Sequence, residues 1–183
     1  MARDALEAVV GETDFELLYD APHNFCWLDG GWLNGNSALH RKGATPSRGY
    51  FEMQDTPFAY HGEPVLVPGS MGAASYVMAG SGRTDALWSA SHGAGRLRSR
   101  GTAMRVDDEQ FAAFLERFTV VTPLDLRDPH VKSRPDIVAD KLMELKQEAP
   151  FAYKDIAPVI DTLTNAGMAR GVAMLEPLLT VKG

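Results

Sequence analysis

Up to about residue 100 the apolar positions come in short runs, and beyond it they return at helical spacing. Phe15-Glu16-Leu17-Leu18-Tyr19 reads as a strand. Phe25-Cys26-Trp27-Leu28 reads as a second strand ending at an Asp29-Gly30-Gly31 turn, which predicts a hairpin. Val65-Leu66-Val67 and Tyr76-Val77-Met78 flank a glycine-containing loop. Residues 3–10 carry a helical pattern, as does the run from Asp136 to Glu148. Asp107 followed by Gln110 resembles a capping box that opens an amphipathic helix to about Arg117. Ile156, Val159, Ile160 and Leu163 keep i, i+3, i+4, i+7 spacing. Gly167 supplies the stop, and Pro158 falls in the first turn, where a missing N–H costs little. Residues 168–175 alternate loosely and predict a final strand. The elements lack the regular strand–helix alternation of a doubly wound sheet, so the expected class is α+β (mixed α/β), in one domain over residues 1–183.

Composition narrows the class without choosing a function. A chain of 183 residues can bury a sizeable core without disulfides or metals. Its 45% hydrophobic and 23% charged residues exclude disordered, collagen-like and coiled-coil proteins. No apolar run approaches the ~18 residues that span a bilayer, and no signal pattern opens the chain, so a cytoplasmic protein with no membrane partner is expected. The lone Cys26 excludes an internal disulfide framework and is expected to be a small core residue inside its strand. Net charge is 18 − 24 = −6, which speaks against indiscriminate nucleic-acid binding. The basic residues nevertheless gather, as Arg41, Lys42 and Arg48 and then as Arg96, Arg98, Arg100 and Arg105. Most of the 17 glycines share this front section, and the acidic excess follows residue 106.

Three segments could carry chemistry. Residues 68–76, Pro-Gly-Ser-Met-Gly-Ala-Ala-Ser-Tyr, combine small side chains with the hydroxyls of Ser70 and Ser75. Such a loop lets backbone N–H groups approach an anion, or it is a plain turn between strands. It is not a P-loop, because no Gly-Lys-Ser/Thr follows. Residues 89–100 place His92 beside Gly93 and Gly95, ahead of several arginines. A bulky ligand can reach such an imidazole, which is a capable nucleophile when its other nitrogen is held; the alternative is a surface turn with a solvated basic patch. Pro22-His23-Asn24 places a histidine at a strand start, as a metal ligand or as an ordinary surface side chain. His40-Arg41-Lys42 and the terminal Lys182 are contacts to phosphate or to a carbonyl oxygen, or solvated cations. The acidic helices and Asp155 read as solvated faces. The five histidines show no HxxxH or HxH spacing and no CxxC exists, so the sequence offers no complete metal site of its own.

Taken in order, these segments resemble one family. His23-Asn24-Phe25, His40-Arg41-Lys42-Gly43-Ala44, Pro68-Gly69-Ser70-Met71-Gly72 with Ser75-Tyr76, Ser91-His92-Gly93-Ala94-Gly95-Arg96, Ala152-Tyr153-Lys154-Asp155 and Val181-Lys182-Gly183 are similar to the C-terminal portion of an RtcB-type RNA-splicing ligase. The match runs from about residue 20 to the end.

The resemblance implies an enzyme that joins RNA 3′-phosphate or 2′,3′-cyclic phosphate ends to 5′-hydroxyl ends with GTP and Mn²⁺, through a histidine–GMP adduct. It implies His92 as the nucleophile and His23 as a manganese ligand with Asn24 beside the nucleotide. Gly93, Ala94 and Gly95 would line the guanylate, with Pro68, Gly69, Ser70, Met71 and Ser75 completing the pocket. Lys182 would contact the base or nearby oxygens, and Arg96 and Arg100 the RNA or its phosphate. The family's N-terminal metal motifs, of the Gly-Val-Asp-Ile-Gly-Cys-Gly and Gly-Asn-His-Phe types, are absent from this sequence. A separate N-terminal ligase half is therefore the expected partner, beside RNA such as tRNA halves. The competing expectation is a guanine-nucleotide- or RNA-binding module without catalysis, or an inactive remnant.

Overall fold

The computed structural model describes residues 11, 16–28, 37–97, 99, 101, 107–125 and 128–181. Strand β1 (Asn24–Leu28) pairs antiparallel with β2 (Ala38–Lys42), placing Phe25 opposite Arg41 and Cys26 opposite His40. β3 (Ala44–Pro46) pairs antiparallel with β6 (Ser89–Ser91). β4 (Pro64–Val67), β5 (Ser75–Gly80) and β8 (Ala169–Leu175) form a three-stranded antiparallel sheet with β5 at its centre. β7 (Thr119–Val121) and β9 (Leu179–Val181) pair in parallel. The helices are α1 (Asp108–Arg117), α2 (Pro129–Lys132), α3 (Pro135–Lys146) and α4 (Ala157–Asn165). Among the described residues six strands precede residue 92 and the four helices follow residue 107, in keeping with an α+β fold, while β7, β8 and β9 return among the helices.

Local chemistry sets the helix ends. The Asp107 carboxylate accepts the Gln110 N–H at 3.2 Å, so α1 opens at the predicted cap. At the end of α4, the Met168 N–H reaches the Leu163 carbonyl and the Gly167 N–H reaches that of Thr164. Gly167 has φ +64°, which completes a Schellman stop.

Two apolar clusters result. Val65, Val67 and Met78 from the sheet pack with Ala90, Leu163 and Ala169, and Ile156, Val159 and Ile160 close over them. Met71 joins Phe111, Phe118, Leu145 and Ala149 in the second, beneath the loop that links β4 to β5. A buried ion pair lies beside the first cluster. Glu63 is fully buried, and its carboxylate accepts from the Arg48 backbone N–H, from Arg48 Nε at 2.9 Å and from Arg48 Nη2 at 2.5 Å. Tyr19 donates its hydroxyl to Glu63 at 2.6 Å, and burial together with this carboxylate pushes the phenol pKa up.

Three expectations need correction. Residues 16–20 form no strand; Tyr19 is instead anchored singly by Glu63 and by the Phe58 ring edge at 5.6 Å. Cys26 is exposed, because among the described residues the β1–β2 ribbon has neighbours on too little of its surface to make a core; Phe25 and Leu28 are exposed with it. Arg41 is not the solvated cation; it makes the carbonyl-oxygen contact that was its alternative. It is buried, 5.3 Å from the Trp27 ring centre, with Nε on Ser89 Oγ and Nη2 on the carbonyls of Leu87 and Trp88. The hairpin pairing is present, while its Asp29–Gly31 turn and the helix over residues 3–10 lie outside the described residues.

Replacing Glu63 with alanine leaves the Arg48 guanidinium facing a buried void. We expect a loss of about 3–5 kcal/mol, read from the urea midpoint. A Glu63→Ala protein as stable as wild type would contradict the role given to this pair.

Candidate active site

The site begins with two short pairings. β1 starts directly after His23, and β6 ends directly before His92. Between them Gly43 donates its N–H to the His23 carbonyl at 3.1 Å and accepts the His92 N–H at 3.4 Å. The two imidazoles lie side by side, with ring centres 4.6 Å apart at 46°. Burial holds the His92 imidazole below the ordinary histidine pKa, and His23 beside it adds to that effect. A neutral imidazole is the nucleophilic form.

The small-residue loop is built for close approach. A Cβ on Gly69 would strike the Ala74 carbonyl, so only glycine fits there. The Gly69 N–H is held by Ser75 Oγ at 2.9 Å, which folds the loop over its own end. Gly72 has φ +74°, and a Cβ there would meet Phe114 at 2.6 Å. Across the opening, Ser91 Oγ bonds the Gly93 carbonyl at 3.0 Å and fixes the turn after His92.

These pieces frame a cleft of about 940 Å³. Pro68, Gly69, Ser70, Met71, Ser75, Gly93, Ala94 and Gly95 all line it, so eight of the residues singled out from sequence come together. Met71 does so while burying its bulk in the second apolar cluster. His23 and His92 line a smaller adjoining cleft of about 350 Å³, which shares Pro68, Ser75 and Leu175 with the first. Asn24 lines neither cleft. Lys182 and Arg100 lie outside the described residues.

The far wall comes from residues to which the sequence reading gave no site role, although Tyr153, Lys154 and Asp155 stand in one of the motifs that carry the resemblance. Glu148, Tyr153, Lys154 and Asp155 line the large cleft. Tyr153 donates its hydroxyl to Glu148, and Arg96 Nη1 donates to the same phenol oxygen at 3.0 Å. Arg96 Nη2 also reaches the Gln147 carbonyl at 2.6 Å. Arg96 thus ties the segment after His92 to the helical section, a role no spacing rule announces. Glu148, expected on a solvated face, is half-buried and bonded here.

The whole chain, residues 1–183, matches the family described as tRNA-splicing ligase RtcB. The chain belongs to the RtcB family. It is 38% identical over 176 residues to the RNA-splicing ligase RtcB of Mycobacterium tuberculosis, covering 93% of this chain and 37% of that protein. It is 37% identical over 183 residues to the tRNA-splicing ligase RtcB of Thermococcus kodakarensis, covering 94% and 34%. With that of Archaeoglobus fulgidus it shares 32% over 192 residues, covering 99% and 37%. The chain therefore spans little more than a third of the length of these curated RtcB relatives.

Among the described residues no group of three or more His, Cys, Asp and Glu could hold a metal ion. A manganese ion wants about six donors, largely oxygen or imidazole. The described residues of this RtcB chain do not make such a site by themselves; His23 would be a single imidazole donor. Nor is any helix among the described residues long and apolar enough to cross a membrane.

The titration of His92 tests the geometry. Followed by NMR in metal-free protein, His92 should titrate below 6.5, and His23→Ala should raise its pKa only partway, because burial remains. Between its folded pKa and 6.5 the unfolded chain binds more protons, so stability should rise with pH across that window and level off above it. A His92 pKa at or above 6.5 would contradict the packed histidine pair.

Proposed function

We propose that this chain is the guanylate-carrying part of a GTP-dependent RNA ligase, acting with a second polypeptide that brings the remaining metal ligands. The observation that supports it best is that His92 lines a small cleft adjoining, and sharing Pro68 and Ser75 with, the larger cleft walled by two glycine-rich loops. Such walls suit a nucleotide, since backbone N–H groups can approach phosphate without side-chain bulk between.

In this reading the neutral His92 imidazole attacks the α-phosphorus of GTP. A P–N bond forms, the bond to the β-phosphate oxygen breaks, and pyrophosphate leaves. The GMP then passes to an RNA 3′-phosphate, and a 5′-hydroxyl displaces it to close the RNA strand. Gly69, Ser70, Ser75, Gly93, Ala94 and Gly95 line the path of the nucleotide, with Pro68 and Met71 completing that wall. Lys182 remains proposed for the base. Arg96 braces the cleft from behind, so its proposed contact with RNA is secondary to its bonds with Tyr153 and Gln147. Manganese, when held jointly with the second polypeptide, would withdraw charge from the phosphorus under attack.

The incomplete donor set around His23 favours one further reading, a guanine-nucleotide-binding module without catalysis. The two separate in one experiment. The chain is incubated with α-labelled GTP and Mn²⁺, alone and with the part of the M. tuberculosis relative that it does not match, beside His92→Ala. The ligase reading expects acid-labile label on wild type with the second polypeptide and none on His92→Ala. Nucleotide binding without label in either arm would overturn it and leave the module.

A further inference from the structure

The segment that carries His23 is thinly held. Of residues 16–28, all but Tyr19, Ala21 and Trp27 are exposed, His23 included. Ala21 lines the small cleft beside His23 and His92. The two aromatic residues stand four positions before and four positions after His23, and both reach the same partner. Tyr19 donates its hydroxyl to Glu63 Oε1 at 2.6 Å, on the carboxylate that Arg48 grips through Nε and Nη2. The guanidinium of that Arg48 lies 5.5 Å from the centre of the Trp27 ring, and Arg41 lies 5.3 Å from it.

The Arg48–Glu63 pair is in turn fixed to the sheet that leads into the large cleft. The Glu63 N–H bonds the Arg48 carbonyl at 2.9 Å, and the Glu63 carbonyl accepts the Gly80 N–H at 2.8 Å. Glu63 directly precedes β4, which ends at Val67 next to the cleft-lining Pro68. Ordering an exposed segment costs backbone entropy at every residue, so its few anchors decide where it lies. A hydroxyl on a buried carboxylate makes one of the stronger hydrogen bonds, and a guanidinium facing an indole adds a cation–π contact. Glu63 does not depend on Tyr19 for partners, because Arg48 already gives its carboxylate three N–H bonds. The Tyr19 hydroxyl therefore matters more to its own segment than to the carboxylate.

We propose that Tyr19 is a positioning residue for His23: with Trp27 it clamps the segment onto the Arg48–Glu63 pair, and so fixes the His23 imidazole against that of His92. The 4.6 Å between the two ring centres is the outcome of that clamp. Its bearing on ligation rests on the two-part ligase reading and adds to it the residue that presents His23. Arg48, one of the front basic cluster, serves the site from inside the fold, through two aromatic rings on either side of the histidine.

Tyr19→Phe tests it, since it removes the hydroxyl, keeps the ring beside Phe58 and leaves Glu63 its bonds from Arg48. In the metal-free chain without a second polypeptide, amide hydrogen exchange is read at Gly43, whose N–H bonds the His23 carbonyl, and across β4 and β5. The nuclear Overhauser contact between the two imidazoles is read on the same samples. Tyr19→Phe should speed exchange at Gly43 about tenfold or more and weaken the ring contact, with β4 and β5 protected as in wild type. Trp27→Leu should act in the same direction, whereas Tyr60→Phe, at a ring 81% exposed, should change neither reading. Unchanged Gly43 exchange and ring contact in Tyr19→Phe would overturn the clamp. An equal loss of protection over β4 and β5 would also overturn it, by making Tyr19 a residue of general stability. With the second polypeptide, α-labelled GTP and Mn²⁺, Tyr19→Phe should slow the labelling of His92 about tenfold or more. Labelling as fast as wild type despite a loosened Gly43 would overturn the positioning role and leave the two-part ligase standing. A wild type that takes no label would overturn the ligase reading, with the clamp still decided by the exchange and ring-contact readings.

Discussion

Gly43 holds the two site histidines together through its own backbone, one bond to the His23 carbonyl and one from the His92 N–H. Its φ of +68° lies in the left-handed region, which a side chain would strain. Space is not the reason for glycine, since a Cβ would sit an ordinary 3.8 Å from His92 Nε2. Conformation is. The three-residue pairing of β3 with β6 is short for the work it does, and Arg41 reinforces it. Leu87 and Trp88, just before β6, both have positive φ, a conformation that costs roughly 1–2 kcal/mol per residue. Arg41 bonds the carbonyls of both and the hydroxyl of Ser89, which offsets that cost and fixes where β6 begins. The position of His92 is thus set from β2, the same ribbon that starts at His23.

The cleft is the joint product of two different packing problems. On one side, the loop from β4 to β5 is held by Ser75 and seated on Phe114 and Phe118 through Gly72 and Met71. On the other, Arg96, Tyr153 and Glu148 clamp the segment after His92 to the helical section, and the Leu97 N–H adds a bond to the Ala152 carbonyl. Three of the front arginines, Arg41, Arg48 and Arg96, are engaged inside the fold. The basic clusters read from sequence are therefore largely structural where they are described. Leu175 of β8 and Leu179 of β9 line the remaining side.

The sequence was most legible where one local rule decided the outcome. The Asp107 cap and the spacing from Ile156 to Leu163 with its Gly167 stop each rest on chemistry within a few residues. The loop residues from Pro68 to Ser75 and from Gly93 to Gly95 were legible as a group only through their resemblance to a family, and the structure brings them to one cleft. What could not be read was set by distant partners. Tyr19 looked like part of a strand but is placed by Glu63, 44 positions away. Cys26 looked like core, yet among the described residues its ribbon lacks a covering layer. Arg41 looked solvated because nothing nearby in sequence reveals Leu87, Trp88 and Ser89. Tyr153 and Glu148 became a site wall only through Arg96, 57 positions from Tyr153.

The proposed nucleotide site draws its loops from this chain, whatever else catalysis requires. Amide chemical-shift mapping during a GMP titration, without metal or second polypeptide, tests it most directly. The account predicts shifts concentrated at Gly69, Ser70, Ser75 and His92 through Gly95, with a smaller response at Tyr153 and Lys154. Unmoved amides at these positions, or shifts confined to another face, would contradict it.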